Sequence, residues 1–290
     1  MEAGAARESG RVWTPRGADR VSSPCPEVMF LTLRGVLGGA ILGVTLVLAL
    51  VGHAGAAPAV PTTGYDVSYP QCGGRLPTPG AFAIVGVNGG LPYSPNPCLA
   101  TQYEWAARSS GAKGSKASLY INTANPGPAL SSHWPTGQQT PKACDGTWST
   151  GCAYDYGWNA AGDAFATAAA ALPAGAPGKT PWWLDVETAN SWNSRDLTSN
   201  VAALQGYIER LTLLAPGQPV GIYSAAGQWA TITGAASPSS SVNQPFAATP
   251  NWVAGFTAKT APGGCNRSFT GGVVRYVQYV SVGMDNDYAC

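Results

Sequence analysis

The chain has 290 residues, of which 45% are hydrophobic and only 11% are charged, and its formal net charge is +1. This composition is that of a globular protein and excludes a disordered or coiled-coil chain. Without a cluster of Lys and Arg, the sequence gives no basis for a nucleic-acid partner. Partners are therefore expected to be recognised by shape, stacking and hydrogen bonds, for which ten Trp and twelve Tyr are present.

The N-terminal segment, residues 1–56, has the pattern of an export signal. Arg34 precedes an apolar run, 35–52, and small residues follow it with an Ala-x-Ala cleavage site. Because the extension before this run is long for a signal, we expect Met29 to be the true start. An uncleaved signal anchor in the membrane is the alternative, since a run of about 18 apolar residues can just span a bilayer. The Gly-rich run and the Ala-x-Ala site favour cleavage, which predicts a secreted or cell-wall-associated domain, 57–290.

The six cysteines of this domain predict three disulfides, because an even number of cysteines in an exported domain is typical of a disulfide framework. Sequence alone allows fifteen pairings. Closeness in the chain favours Cys72–Cys98, Cys144–Cys152 and Cys265–Cys290. A metal site is not predicted, since no Cys-x-x-Cys spacing is present and His133 is the only histidine of the domain. No cofactor of another kind is predicted either.

Short apolar runs alternate with helix-like stretches through the domain. Strands are predicted at 64–68, 82–87, 118–122, 182–186, 220–224, 252–256 and 273–280, and helices at 99–108, 157–172 and 198–214. This alternation favours a parallel sheet, and the domain approaches the ~250 residues of a β/α barrel. We therefore predict a single-domain, disulfide-stabilised α/β fold, an irregular TIM-like (β/α) barrel. The last third has less helix, so the regularity of the barrel is expected to fail there.

The most informative run, 182–187, reads Trp-Trp-Leu-Asp-Val-Glu and ends an apolar, β-prone stretch with two acids. Because side chains alternate along a strand, Asp185 and Glu187 are expected on one face, about 6.5–7 Å apart at their Cα atoms. Trp183 shares that face, whereas Trp182 is expected to pack beneath the helices. Two neighbouring carboxylates are an arrangement that glycoside hydrolysis can use. An acidic strand end that meets solvent or a salt bridge is the alternative interpretation.

Two acids at opposite ends of the domain are expected to join this pair. Asp66 lies in the first predicted strand, and Asp285 follows the last one. The carboxyl ends of barrel strands converge on one face, and the first and last strands become neighbours when the barrel closes. Asp287 is a possible substitute for Asp285. Asp155, by contrast, is interpreted as the N-cap of a helix.

With these motifs, the chain resembles the family 25 glycoside hydrolases, which are lysozymes built on an irregular β/α barrel that cleave peptidoglycan. The resemblance is carried, in chain order, by Gly64-Tyr65-Asp66-Val67-Ser68, Leu184-Asp185-Val186-Glu187, Val220-Gly221-Ile222-Tyr223-Ser224, Asn251-Trp252-Val253-Ala254, Gln278-Tyr279 and Met284-Asp285. It extends through nearly all of the domain. An Asp-Val-Ser strand followed by Asp-x-Glu at this spacing is fairly specific to the family.

Two strand ends depart from the family pattern. The second strand ends Asn88-Gly89-Gly90, without the Lys and Glu that the family carries there. The third strand reads Leu119-Tyr120-Ile121-Asn122, where the family has Tyr-His-Phe. These changes alter the cleft, and they resemble actinobacterial secreted proteins of the glycoside-hydrolase-like barrel group.

The resemblance implies a role for each acid. Glu187 is the implied general acid, kept protonated by the apolar tryptophans and by the charge of Asp185. Asp185 is the implied stabiliser of positive charge, either as a nucleophile or by orienting a substrate N-acetyl group. Asp66 and Asp285 are implied to tune the pair or to bind sugar hydroxyls.

The predicted function is that of a secreted, monomeric glycosidase, lysozyme-like, with peptidoglycan or a related N-acetylated glycan as its partner. The residues predicted to bind this glycan are Tyr69, Asn88, Tyr120, Asn122, Trp183, Tyr223, Trp252, Gln278 and Asp287. For each of them, filling the barrel is the alternative role. A catalytically inactive barrel that binds cell-wall glycan is the alternative function. A serine hydrolase or nucleotide enzyme is not supported, since neither a Gly-x-Ser-x-Gly elbow nor a phosphate loop is present.

Overall fold

The computed structural model describes residues 62–281 and 283–290. The predicted export signal, with Arg34 and the possible start at Met29, lies outside the described residues. Within the described ranges, no helix has the length and apolar character needed to cross a bilayer.

The strands of the described residues close into a barrel in chain order. They are β1 Thr63–Val67, β2 Ala83–Gly86, β3 Ala117–Asn122, β4 Trp182–Asp185, β5 Val220–Ser224, β6 Asn251–Phe256, β7 Val274–Ser281 and β8 Met284–Ala289. From β1 to β7 each strand pairs in parallel with the next, whereas β8 is antiparallel to both β7 and β1. The predicted irregular β/α barrel is confirmed, and the irregularity lies in the last third, where it was expected.

In the described part of the chain, five α-helices pack around this sheet: α1 Leu99–Ala106, α2 Thr150–Ala171, α3 Leu197–Leu214, α4 Ala226–Thr233 and the single turn α5 Ala261–Gly264. Short 3₁₀ segments cover Tyr69–Gln71, Pro177–Lys179 and Ser241–Phe246. The first three helices were predicted, but α4 and α5 were not. Neither short helix has a side-chain N-cap hydrogen bond that would mark its start in the sequence.

The start of α2 corrects the interpretation of Asp155. The N-cap is Ser149, whose hydroxyl accepts a hydrogen bond from the backbone N–H of Cys152, so the helix begins seven residues before the predicted start. Asp155 therefore lies inside the helix, and its interpretation as an N-cap is wrong. Its Oδ1 instead accepts the backbone N–H of Lys142 at 3.0 Å, which ties the long β3–α2 loop to the helix.

Strand β8 was not predicted, and its direction matters for the site. Its sequence, Met-Asp-Asn-Asp-Tyr-Ala, lacks the apolar pattern of the other strands. β8 begins at the end of the barrel where the parallel strands finish. Its Asp287 pairs with Gly64 of β1 and with Gln278 of β7. Because β8 is antiparallel, Asp285 lies at the mouth of the barrel and Asp287 lies one layer deeper.

The alternation of side chains separates two apolar layers. Trp182 faces outward and stacks on Phe165 of α2, with ring centroids 5.8 Å apart, as predicted. Trp183 faces inward and joins Phe82, Trp252 and Tyr276 in a cluster that fills the barrel. Such a barrel is a packed core, and only its mouth is open to a ligand.

Three disulfides fasten the loops and the C-terminus. They join Cys72 to Cys98, Cys144 to Cys152 and Cys265 to Cys290, which are the pairs favoured by closeness in the chain. The first links the loop after β1 to the N-terminal end of α1. The second closes the loop before α2, and the third attaches the last residue of the chain to the turn that follows α5.

Candidate active site

A cavity of about 290 Å³ opens at the mouth of the barrel. Its lining contains four acids, three aromatic residues and one amide: Asp66, Asp185, Glu187, Asp285, Tyr120, Tyr223, Trp252 and Gln278. All eight are among the site residues predicted from the sequence. They come from seven different strands or strand ends, which the closure of the barrel brings to one place.

Asp185 and Glu187 share one wall of this cavity at different depths. Asp185 ends β4 and is 6% exposed, whereas Glu187, two residues further, is only partly buried. Asn122 of β3, the register partner of Asp185, donates its Nδ2 hydrogen to Asp185 Oδ2 at 2.5 Å. Asn88 supports Asn122 in turn, since its Oδ1 accepts the backbone N–H of Asn122 at 2.9 Å. The deeper acid is thus held in place by two amides that the sequence predicted as ligand contacts.

The outer acid, Glu187, is oriented by a residue that the sequence did not indicate. Gln228 of α4 donates its Nε2 hydrogen to Glu187 Oε1 at 3.3 Å. Its own Oε1 accepts the backbone N–H of Thr188 at 2.6 Å, so the amide bridges the end of β4. Gln228 was missed because α4 was not predicted, and a glutamine in a short polar stretch carries no signal of its own.

The deeper acid of the pair has a raised pKa. Burial, followed by the nearby charges of Glu187 and Asp66, raises the pKa of Asp185 well above its usual range, although the hydrogen bond from Asn122 opposes this. Desolvation is the largest cause because β4 places Asp185 one layer deeper than Glu187. Asp185 Oδ1 is buried and has no hydrogen-bond partner among the described residues. The family resemblance implied a protonated Glu187 beside a charged Asp185, and that assignment stays a prediction.

A second group of acids lies across the cavity, between β1 and β8. Gln278 of β7 donates its Nε2 hydrogen to Asp66 Oδ2 at 3.0 Å and accepts the hydroxyl of Tyr223 at 2.7 Å. Burial, and then the charge of Asp285, raises the pKa of Asp66 to about 7. Burial likewise raises the pKa of the half-buried Asp285. At neutral pH this side of the cavity therefore carries less negative charge than its two acids would otherwise give it.

Asp287 lies beneath Asp66 and is completely buried. Trp252 donates its Nε1 hydrogen to Asp287 Oδ1 at 2.7 Å, which fixes the indole ring at the wall of the cavity. The other oxygen of Asp287, Oδ2, is buried and has no hydrogen-bond partner among the described residues. Burial, followed by the nearby charge of Asp66, raises the pKa of Asp287 well above its usual range.

Three aromatic side chains with mutually inclined rings form a wall beside the acids. Tyr223 and Trp252 lie with ring centroids 4.5 Å apart, and Tyr120 meets Trp252 edge-on at 6.1 Å. Tyr120 packs closely on Gly86 of β2, where any side chain would collide with its ring. The wall offers apolar faces to a ring, while the acids accept hydrogen bonds from hydroxyl groups. No Lys or Arg belongs to the described lining.

Five residues predicted to bind glycan lie outside the lining of the cavity, and Asn122, described above, is one of them. Trp183 lies below the cavity, inside the barrel, between Trp252 and Tyr276. Asn88 and Asp287 are buried behind it, and Tyr69 is an exposed residue that packs near Gly90. Their contact with a ligand stays a prediction, while their observed roles are packing, hydrogen bonding and loop contact.

No protein-family model and no curated protein matches the chain. Solved structures similar to it include a muramidase from Trichobolus zukalii, at 19% identity over 79% of this chain and 93% of that one, with a TM-score of 0.46. A lysozyme of Streptomyces coelicolor is similar at 18% identity over 80% and 93% of the two chains, with a TM-score of 0.44. A spore cortex lytic enzyme of Clostridium perfringens is similar at 11% identity over 81% and 68%, with a TM-score of 0.49. These likenesses concern the fold, and the case for a function rests on the cavity.

Proposed function

We propose that the domain hydrolyses glycosidic bonds of peptidoglycan or a related N-acetylated glycan outside the cell. The observation that supports this most is the meeting of Asp66, Asp185, Glu187 and Asp285 at one aromatic-walled cavity. Paired carboxyl groups are what glycoside hydrolysis requires, and flat aromatic faces suit the apolar side of a sugar ring. The three disulfides are typical of an exported protein.

Glu187 is the general acid in this proposal. It is the outer member of the pair, so a glycosidic oxygen in the cavity can reach it, whereas Asp185 is buried behind it. In its protonated form, Glu187 delivers its proton to the leaving oxygen as the bond from the anomeric carbon breaks. A water molecule then supplies the hydroxyl group at the anomeric carbon and a proton that restores the pair.

Asp185 stabilises the positive charge that develops at the anomeric carbon. The Asp185 carboxylate is fixed by Asn122 at 2.5 Å and faces a cavity without Lys or Arg in its described lining. It acts either directly on the anomeric carbon or by orienting a substrate N-acetyl group that attacks that carbon.

The test is the substitution Glu187→Gln, which keeps size and hydrogen bonding but removes the acid. We expect the release of reducing ends from purified peptidoglycan and from N-acetylchitooligosaccharides to fall by about 10²–10⁴-fold. Glu104→Gln is the matched control, because Glu104 is exposed on α1, outside the barrel. Retained activity in Glu187→Gln would contradict the proposed role.

The same assay separates catalysis from binding alone. A native protein that retains these glycans in a pull-down but releases no reducing ends would favour the glycan-binding alternative. A native protein that neither cleaves nor retains them would contradict both functions.

A further inference from the structure

A second cavity of about 290 Å³ lies in the loops that follow β2, β3 and β4. Its lining includes Leu91, Tyr93, Leu130, Ser131, His133 and Tyr156. None of these residues belongs to the cavity of acids. The loops at this end of a β/α barrel are those that carry binding residues, so the second cavity lies on the functional face of the domain.

An aromatic stack forms the wall of this second cavity. The exposed imidazole ring of His133 lies flat on Tyr93, with ring centroids 3.9 Å apart and planes 6° apart. Tyr156 of α2 meets Tyr93 edge-on at 5.8 Å, and the buried Trp134 stacks behind Tyr156 at 5.4 Å. The stack is therefore backed by the core, and it presents ring surface to the solvent.

Tyr93 is held in an unusual backbone conformation. Its φ of +62° is in the left-handed region, and it is the one non-glycine residue of the described ranges with a positive φ. A bulky residue adopts this region only at an energetic cost, and such residues concentrate at ligand-binding positions. The two leucines beside it, Leu91 and Leu130, are 57% and 71% exposed, so the rim of the cavity is also apolar.

The second cavity is connected to the acid pair through two short stretches of backbone. Ala124 lines it and lies two residues after Asn122, the residue that holds Asp185. Ser191 also lines it and lies four residues after Glu187. The backbone N–H of Asn125 donates to the carbonyl of Ser191 at 2.8 Å, which joins the two stretches. The second cavity therefore lies beside the strand ends that carry the acid pair.

The chemistry of the lining identifies the ligand class. Among its described residues there is no Asp, Glu, Lys or Arg, while three serine hydroxyls stand beside the aromatic and leucine side chains. A charged peptide would find no counter-charge there. A neutral sugar ring, with an apolar face and hydroxyl or acetamido groups at its edge, fits both kinds of surface.

We infer that the second cavity binds an uncharged N-acetylhexosamine unit of the same glycan, distant from the bond that is cleaved. This inference rests on the proposed function in one respect, namely that the same glycan chain occupies both cavities. Tyr93 and His133 are the residues that select longer chains over shorter ones. They are binding residues and take no part in the chemistry at Asp185 and Glu187.

The test follows His133 by NMR in the full chain, carrying Glu187→Gln so that the ligand stays intact. Histidine is labelled isotopically, and the signal of His133 is identified by its loss in His133→Gln, since His53 is the other histidine of the chain. The uncharged probes are N-acetylchitohexaose and N-acetylchitobiose, and the indole N–H signal of Trp252 reports on the first cavity. We expect the hexaose to shift both signals and the biose to shift Trp252 alone.

Affinity measurements on side-chain variants complete the test. Tyr93→Ala is expected to weaken hexaose binding about tenfold, as for the loss of one good aromatic contact, and to leave biose binding unchanged. Tyr93→Phe keeps the ring and is expected to bind both probes as the parent does. His133→Ala should also weaken hexaose binding. Because His133 is exposed, this variant should keep the native fold, so it tests the site even if Tyr93→Ala does not fold.

The outcomes separate this inference from the proposed function. If the hexaose shifts Trp252 to saturation but leaves His133 unchanged, the inference is overturned and the proposed function stands. If neither signal changes with either probe, the inference is overturned as well. If His133 responds but the native protein releases no reducing ends from any glycan, the second cavity stands as a sugar site and the proposed catalysis is contradicted.

Discussion

The barrel contains two acid pairs of the same spacing on strands of opposite direction, Asp185-x-Glu187 on β4 and Asp285-x-Asp287 on β8. In the parallel strand the first acid is deep and the second is at the mouth, whereas in the antiparallel strand this order is reversed. Each pair therefore gives the cavity one accessible acid and keeps one buried acid behind it.

The two buried acids differ in where they lie, and this difference separates catalysis from support. Asp185 is fixed on one oxygen by Asn122, and it lines the cavity beside Glu187. Asp287 is fixed on one oxygen by Trp252 and lies below the surface of the cavity. In each acid the second oxygen has no partner among the described residues. The position of Asp185 leaves its carboxyl free to act on a ligand, whereas Asp287 holds the indole ring of Trp252 in the cavity wall.

The largest expected effect on activity is at Asp185. Asp185→Asn keeps the shape and the contact with Asn122 but removes the charge that stabilises the transition state. We expect the rate of reducing-end release to fall by about 10²–10³-fold, with the melting temperature nearly unchanged. Asp163→Asn, an exposed residue of α2, is the matched control and should behave as the native protein. Full activity in Asp185→Asn would remove Asp185 from the catalytic pair.

At Asp287 the expected effect is on stability first. Asp287→Ala leaves the indole N–H of Trp252 without a buried partner, which should cost about 1–3 kcal/mol in urea unfolding. Asp287→Asn retains an acceptor for Trp252, so its loss should be much smaller. Equal losses in the two variants would show that the hydrogen bond from Trp252 is not what holds this region.

The raised pKa of Asp66 predicts how stability depends on pH. Its pKa is about 7 in the folded domain against 3.8 in the unfolded chain, so between these values the folded state binds more protons. Stability should therefore fall as the pH rises from about 4 through 7. The urea midpoint measured across this range should decline more steeply in the native protein than in Asp66→Asn. An identical slope in the two proteins would contradict this pKa assignment.

The smallest expected effect is at Gln228, which orients the outer acid. Gln228→Ala removes the 3.3 Å hydrogen bond to Glu187, and we expect kcat to fall roughly two- to fivefold with little change in KM, as for the loss of one modest hydrogen bond. Thr231→Ala, on the exposed side of the same helix, is the matched control. A change in KM alone would indicate that Gln228 contacts the substrate instead.

Much of the barrel was predictable because its parallel strands are continuous apolar runs. The prediction for β5 matches its observed bounds, since Val220–Ser224 is apolar on both faces. Strand β8 was not predictable, because it lacks an apolar pattern and its buried Asp287 is accommodated by Trp252 of the distant strand β6. The cavity residues could be named because acids and aromatics at strand ends are few in this chain.

The depth of each acid could not be read from the sequence. Alternation along β4 places Asp185 and Glu187 on one face, but it does not say which of them lies deeper or which has a partner from a helix. Those properties depend on how far the strand extends past its neighbours and on α4, whose local sequence has no clear start. The raised pKa of Asp185 likewise depends on three-dimensional surroundings that the sequence does not show.

The most direct test of the central claim is a crystal structure of the Glu187→Gln variant with an intact N-acetylated oligosaccharide. We predict a glycosidic oxygen within hydrogen-bond reach, about 2.6–3.2 Å, of the side chain at position 187, with a sugar ring against Tyr223 and Trp252 and its anomeric carbon or acetamido group facing Asp185. An oligosaccharide bound elsewhere, or with no glycosidic oxygen near position 187, would contradict the account.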